Sequence, residues 1–291
     1  MWDVQTGGKI WQLSFEGRRD ERGYFVTQIY EMALSPDENT IALVRYRFHV
    51  VNNTLEESEF QIVLVNLRNR QEQQTIFQNE KPTGSLTFSP DNQLLAWTGY
   101  DRIHLWSVKA KAELPSLVSP RCPTRLAFSA NGKLLAAGLT WASSCKYDGG
   151  TEGLIIFNVQ NDERVKVSFG PRTFTDVAFS PDGKFLVAAP MDTQSVVLSW
   201  NAETWERVHI LRDAEVPADR VAFSPDGNYL ASRFVIVKRG IVLVWKVGSD
   251  TKPHLHRFGE GVRSMSFSPD GGILAVGTEN GRIKLLRIRR V

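Results

Sequence analysis

One short phrase constrains this chain more than anything else in it: an apolar run, then Ser-Pro-Asp or its equivalent, then a second apolar run. It occurs at Leu34-Ser35-Pro36-Asp37, Phe88-Ser89-Pro90-Asp91, Phe128-Ser129-Ala130-Asn131-Gly132, Phe179-Ser180-Pro181-Asp182-Gly183, Phe223-Ser224-Pro225-Asp226-Gly227 and Phe267-Ser268-Pro269-Asp270-Gly271. Each copy is a turn with a mechanism. Proline presets φ for the second position of a type I turn, Asp or Asn suits the third and glycine the fourth, so the flanking runs meet as antiparallel strands.

The copies follow one another at roughly 40 to 54 residues, the period of a four-stranded propeller blade and too long for a leucine-rich or helical-pair repeat. In the fifth unit four short strands read directly: Arg207 to Leu211, Arg220 to Phe223, Tyr229 to Arg233 and Ile241 to Val247. All are rich in Val, Ile, Leu and Phe and separated by turn residues, and no comparable stretch shows helical apolar spacing. A third-strand signature places a large ring at one position: Trp106 in Ile103 to Val108, Phe157 in Leu154 to Val159, Trp200 in Val197 to Asn201 and Trp245 in Val242 to Val247. Between stacked sheets such a ring is core, worth about 1.5–3 kcal/mol each by area burial. The expected fold is all-β: a six-bladed β-propeller of four-stranded antiparallel blades. It forms one domain, 1–291, in units of approximately 9–67, 68–108, 109–159, 160–201, 202–247 and 248–291. The length would suit two average domains, but closed all-β folds use such lengths as one.

Segments such as Val177-Ala178-Phe179-Ser180-Pro181-Asp182-Gly183-Lys184-Phe185-Leu186, and Ser266-Phe267-Ser268-Pro269-Asp270-Gly271-Gly272-Ile273-Leu274-Ala275-Val276-Gly277 in the last unit, resemble the Trp-Asp-repeat (WD) family. The resemblance covers nearly the whole chain. It departs in two ways: the Gly-His dipeptide that opens family repeats is missing, and a Trp-Asp pair occurs only at Trp2-Asp3. The side-chain network tied to those residues in the family therefore does not carry over. TolB-like propellers also use a Ser-Pro-Asp-Gly turn and stand as the alternative; Trp106, Trp200 and Trp245 on the third strands favour the first family.

The last unit supplies three strands, ending with Arg282 to Ile288. Its missing outer strand is expected from Lys9 to Phe15, so that the two termini pair in one blade and remove two open sheet edges. Met1 to Gly8 reads like the end of a third strand that has lost its beginning. The chain would then be part of a longer polypeptide and of a seven-bladed propeller.

The net charge of +3 is small and its basic residues are scattered, so composition makes no case for nucleic acid or an anionic membrane. No run approaches the length of a bilayer span, and the N-terminus lacks the form of an export signal. Cys122 and Cys145 lack Cys-x-x-Cys spacing and are expected as reduced thiols in a cytoplasmic protein.

By the family resemblance, the Ser-Pro-Asp turns lie on one rim and the loops between second and third strands on the other. Length variation falls on the second rim, at Arg45 to Glu59 and Thr140 to Gly153, and in the connection Glu16 to Thr27. These segments carry Arg18, Arg19, Arg22, Tyr24 and Phe25, then Tyr46, Arg47 and Phe48, then Trp141 and Tyr147. Arg and aromatic residues dominate binding hot spots, and loops on a rigid scaffold are where binding resides. The plainer reading is that Arg45 to Val51 and Phe60 to Leu67 extend a hairpin. The basic run Arg282, Lys284, Arg287, Arg289 and Arg290 is read as an edge that discourages wrong pairing.

Chemistry is sparsely signalled. No phosphate-cradling loop, nucleophile elbow or zinc-binding His-Glu-x-x-His is present. His254 and His256 share a strand face but supply two ligands where a catalytic zinc needs three. Glu31, Asp176 and Asp219 sit near inner-strand starts, where a propeller hydrolase or lyase would place a carboxylate pair and where backbone hydrogen bonding is the ordinary role. The expectation is a non-enzymatic interaction scaffold without metal or cofactor, binding a protein or peptide through its loop-rich rim. The hydrolase or lyase and a TolB-like assembly component are the alternatives.

Overall fold

A computed structural model describes residues 24–52, 54–69, 71–78, 84–140, 153–165, 173–190, 197–208, 211, 218–236, 239–249 and 251–288. The described residues form strands and turns with no helix among them. They fall into two compact units, Met1–Pro82 and Thr83–Val291.

The first unit holds one sheet in meander order: β1 (Tyr24–Leu34), β2 (Thr40–Val51), β3 (Thr54–Asn66) and β4 (Gln71–Gln78). The second holds five more, each a meander. They are β5 (Leu86–Phe88), β6 (Leu94–Thr98), β7 (Arg102–Ser107) and β8 (Ala112–Val118); then β9 (Cys122–Phe128), β10 (Leu134–Thr140), β11 (Leu154–Asn158) and β12 (Glu163–Val165); then β13 (Phe174–Phe179), β14 (Phe185–Pro190), β15 (Leu198–Asn201) and β16 (Arg207–Val208). There follow β17 (Arg220–Phe223), β18 (Tyr229–Ile236), β19 (Arg239–Lys246) and β20 (His254–Phe258), and last β21 (Val262–Phe267), β22 (Ile273–Thr278) and β23 (Ile283–Arg287). These are the blades the repeat predicts, offset from the sequence units by one strand. Arg207–Val208, read as the opening strand of the fifth unit, pairs with β15 and closes the fourth blade. Among the described residues the last blade has three strands; the outer strand expected from Lys9 to Phe15 lies outside them.

The repeated turn is built alike in all six copies. The serine carbonyl accepts from the amide three residues on, and that residue takes a left-handed φ: 57° at Glu38, 58° at Asn92 and 68–72° at Gly132, Gly183, Gly227 and Gly271. Glycine recurs at this position because only it meets a positive φ without steric cost. The serine Oγ donates to the Asp or Asn side chain at 2.5–2.8 Å and accepts from the amide five residues on at 2.9 Å, locking the turn.

Packing in the second unit is between successive blades. One cluster joins Val187 and Ala189 to Leu230, Phe234, Leu243 and Trp245; others join the second blade to the third, the third to the fourth and the fifth to the sixth. Trp106, Phe157, Trp200 and Trp245 are all buried, so the recurring rings are core. The inner strands β5, β9, β13, β17 and β21 lie side by side in chain order.

Candidate functional site

In the first unit, Arg45 to Glu59 is strand where a rim loop was expected. Val44, Tyr46, Phe48 and Val50 alternate as β-formers, and β2 and β3 stay paired out to Val51↔Thr54, beyond which Asn52 turns the chain with a φ of 49°. The plainer reading of this segment, an extended hairpin, is the observed one. β1 adds a third strand, setting Tyr24 opposite Val50, Phe25 opposite His49 and Thr27 opposite Arg47.

Alternation gives this finger two chemistries. On one face the Tyr46 and Phe60 rings stack at 4.1 Å and 9°, and Phe48 meets Tyr46 edge-on at 4.5 Å and 88°. On the other, Arg45 donates through Nη1 to Glu72 Oε1 at 2.7 Å and through Nε and Nη2 to Gln61 Oε1, while Arg47 lies 3.9 Å from Glu59. The fold thus brings Tyr24, Phe25, Tyr46, Arg47 and Phe48 onto one three-stranded finger. It also recruits Arg45 and Phe60, which become visible only once the β2–β3 register is fixed. Arg18, Arg19, Arg22, Trp141 and Tyr147, and the side chains of Tyr24 and Phe25, lie outside the described residues.

In the second unit the informative position is the inner-strand residue three before the turn phenylalanine: Ser85, Arg125, Asp176, Arg220 and Ser264. Ser85 Oγ accepts from the Leu126 amide of the next blade at 3.2 Å, and Asp176 Oδ2 accepts from the Val221 amide of the next blade at 2.9 Å. Asp176 Oδ1 also accepts from the Val177 amide at 3.0 Å. Two neighbouring positions bind blades in the opposite sense. Thr124 Oγ1 lies 3.0 Å from the Phe174 carbonyl, and Arg233 donates through Nη1 to the Val262 carbonyl at 2.8 Å. Arg233 also grips both Asp219 oxygens at 2.9 Å.

Burial pushes the Asp176 carboxyl up, against the pull of Arg220 and Arg125. Burial, then Arg125, pushes Arg220 down from its ordinary value. Asp176 is therefore engaged by backbone amides, the ordinary role anticipated for it, whereas the Asp219 side chain is engaged by the Arg233 guanidinium. Glu31 is half-buried on β1, opposite Val44.

No group of three or more potential metal ligands occurs among the described residues. His254 and His256 lie on β20, and burial followed by the His254 charge lowers His256. Lys284 of the basic C-terminal run pairs with Glu260 at 3.2 Å and lies over the Phe258 ring; Arg289 and Arg290 lie outside the described residues. A second expectation is corrected: Cys122 is disulfide-bonded where a reduced thiol was expected. No other cysteine lies near Cys122 in the sequence, so nothing local announced the bond. Cys145 lies outside the described residues. No helix among the described residues is long and apolar enough to cross a membrane.

Residues 251–286 match the family model described as WD domain, G-beta repeat. The segment is similar to a WD repeat. It contains β20, β21, β22 and β23 up to Leu286, so the match spans the same one-strand offset seen between sequence units and sheets. Over 204 residues, 68% of the chain, it is 29% identical to Periodic tryptophan protein 2 of Arabidopsis thaliana. It spans about a fifth of that relative's length, 21%. Among solved structures it is similar to the Hydrazine Synthase of Kuenenia stuttgartiensis, with a TM-score of 0.64 over 89% of this chain and 95% of that one, at 15% identity. That likeness shows the β-propeller fold and carries nothing about activity. Of the two propeller resemblances, the comparisons favour the WD type over the TolB type.

Proposed function

We propose that this WD-repeat propeller is a non-catalytic scaffold that binds a protein or peptide, as part of a longer polypeptide or complex. The observation that carries the reading is the finger of the first unit. Tyr46 and Phe48 are partly exposed, Tyr46 stacked on Phe60 and Phe48 edge-on to Tyr46, with Arg45 and Arg47 on the other face. Aromatic and Arg side chains whose rotamers are already fixed lose little entropy on binding, which is what makes them anchors. The engagement of Asp176 and Asp219 in fold-holding bonds supports a scaffold over the hydrolase or lyase reading.

The test is capture from native extract by the intact chain and by Tyr46→Ala/Phe48→Ala, after confirming that the variant is folded. A partner held by the first and lost by the second supports the scaffold reading, while equal capture by both removes the finger from it. Cytoplasmic placement is a separate proposal, against which the disulfide at Cys122 stands, and it has its own check. Alkylation of thiols in intact cells before lysis labels Cys122 if the compartment is reducing, whereas an unlabelled, disulfide-linked Cys122 places the chain in an oxidising one.

A further inference from the structure

The inner-strand position that stitches one blade to the next requires an acceptor, and Ser85 and Asp176 supply one. Arg125 and Arg220 occupy the same position with a group that can only donate. Neither can do the stitching, and the fold compensates around them. Asp176 turns its second oxygen back to the Val177 amide, the group that an acceptor at position 125 would have served.

Arg220 is costly to keep. It is half-buried, faces the Arg125 and Arg233 charges, and donates only through Nη1, to the Thr175 and Asp219 carbonyls, both at 3.3 Å. Its Nε and Nη2 donate to no group among the described residues. The two nearby carboxylates are already committed: Asp176 to backbone amides and Asp219 to a two-pronged pair with Arg233. Among the described residues, the two carboxylates acting on Arg220 are thus both engaged elsewhere. An anion arriving at Arg220 would meet a planar fork of free donors, partly desolvated already, with a favourable field behind it.

We propose that Arg220, supported by the charges of Arg125 and Arg233, is the anchor of an anion-binding site on the inner strands of the third to fifth blades, taking one phosphate or carboxylate group. The site lies at the strand ends away from the Ser-Pro-Asp turns, and it does not depend on the finger of the first unit.

The test is calorimetric titration of the purified chain with inorganic phosphate and, separately, with capped hexaglutamate, at fixed chloride. Arg220→Gln, Arg220→Lys and the exposed control Arg287→Gln are titrated alongside. Saturable binding by the intact chain, weakened about tenfold or more in Arg220→Gln and unchanged in Arg287→Gln, is the expected result. The tighter probe then tells a free oxyanion from a carboxylate presented by a peptide. Absence of saturable binding to both probes, or equal binding by Arg220→Gln, overturns the site. Should the Gln variant fail to fold, Arg220→Lys decides: loss of the fork with the charge retained weakens binding severalfold if the site is real and leaves it unchanged if it is not.

Discussion

Asp176→Ala removes the side chain that joins the fourth blade to the fifth. In the folded protein both oxygens accept backbone amides, from Val177 at 3.0 Å and Val221 at 2.9 Å, in a position almost sealed from solvent. A hydrogen bond to a charged group is worth about 1.5–3 kcal/mol, and an orphaned buried donor costs about 1–3 kcal/mol. Against this, the variant no longer buries a carboxylate, an offset of comparable size. The expected net loss is about 2–4 kcal/mol in urea unfolding at neutral pH. Asp176→Ser provides the internal comparison, because Ser85 makes the equivalent bond to Leu126 from the same strand position. It should recover about half of the loss. The acid dependence has a definite sign. Burial raises the folded-state value of Asp176, so its contribution is fullest below the ordinary carboxylate range and falls as pH rises through the raised value. The gap between the intact chain and Asp176→Ala should widen on acidification across that window. A gap below about 0.5 kcal/mol, or a Ser variant as unstable as the Ala variant, would refute the stitching argument.

Three further perturbations test separate parts of the molecule. Gly240→Ala places a Cβ 2.3 Å from Val262 Cγ2 and 2.8 Å from the Val262 amide nitrogen on the next blade. It should lower stability by about 1–3 kcal/mol in thermal or urea unfolding, and an unchanged midpoint would mean that β19 and β21 approach less closely than described. A double-mutant cycle between Tyr46→Ala and Phe60→Ala should return a coupling of about 0.5–1.5 kcal/mol from the stacked rings, and zero coupling would remove the rigid anchor from the proposed function. In the turn, the Ser35 hydroxyl and then Asn39 hold Asp37 below its ordinary value. Ser35→Ala should therefore raise the Asp37 titration seen by NMR and weaken the loss of stability that otherwise sets in as pH falls through the folded value.

The blades were legible because their determinants are local. A Ser-Pro-Asp turn states its own geometry within a few residues, and the strand alternation on either side names the buried face, down to Trp106 and Trp245. The one-strand offset between repeat and sheet was not, since Arg207–Val208 looks equally able to open one blade or close another. The Arg45 to Glu59 finger was misjudged as rim loop because its arginines and glutamates mask the alternation of Val44, Tyr46, Phe48 and Val50. Arg45 and Phe60 were missed because their importance depends on cross-strand register. Cys122 shows the same limit, a disulfide with no nearby sequence sign.

The inner-strand position shows how one site can serve stability in some blades and be released in others. Where Ser85 or Asp176 stands, the side chain closes a joint between blades, and its replacement should be felt in unfolding. Where Arg125 or Arg220 stands, the joints are held by other groups: Thr124 reaches toward the Phe174 carbonyl at 3.0 Å, and Arg233 reaches the Val262 carbonyl at 2.8 Å. Losing the Arg220 guanidinium gives up two long bonds to carbonyls and relieves repulsion from Arg125 and Arg233, so Arg220→Gln should leave the unfolding midpoint within about 0.5 kcal/mol of the intact chain, or raise it. Asp176→Ala at the equivalent position of the neighbouring blade should not. If both substitutions proved equally destabilising in the same urea titration, the two residues would share one structural task, and the separation between fold-holding and available charge on these strands would fail.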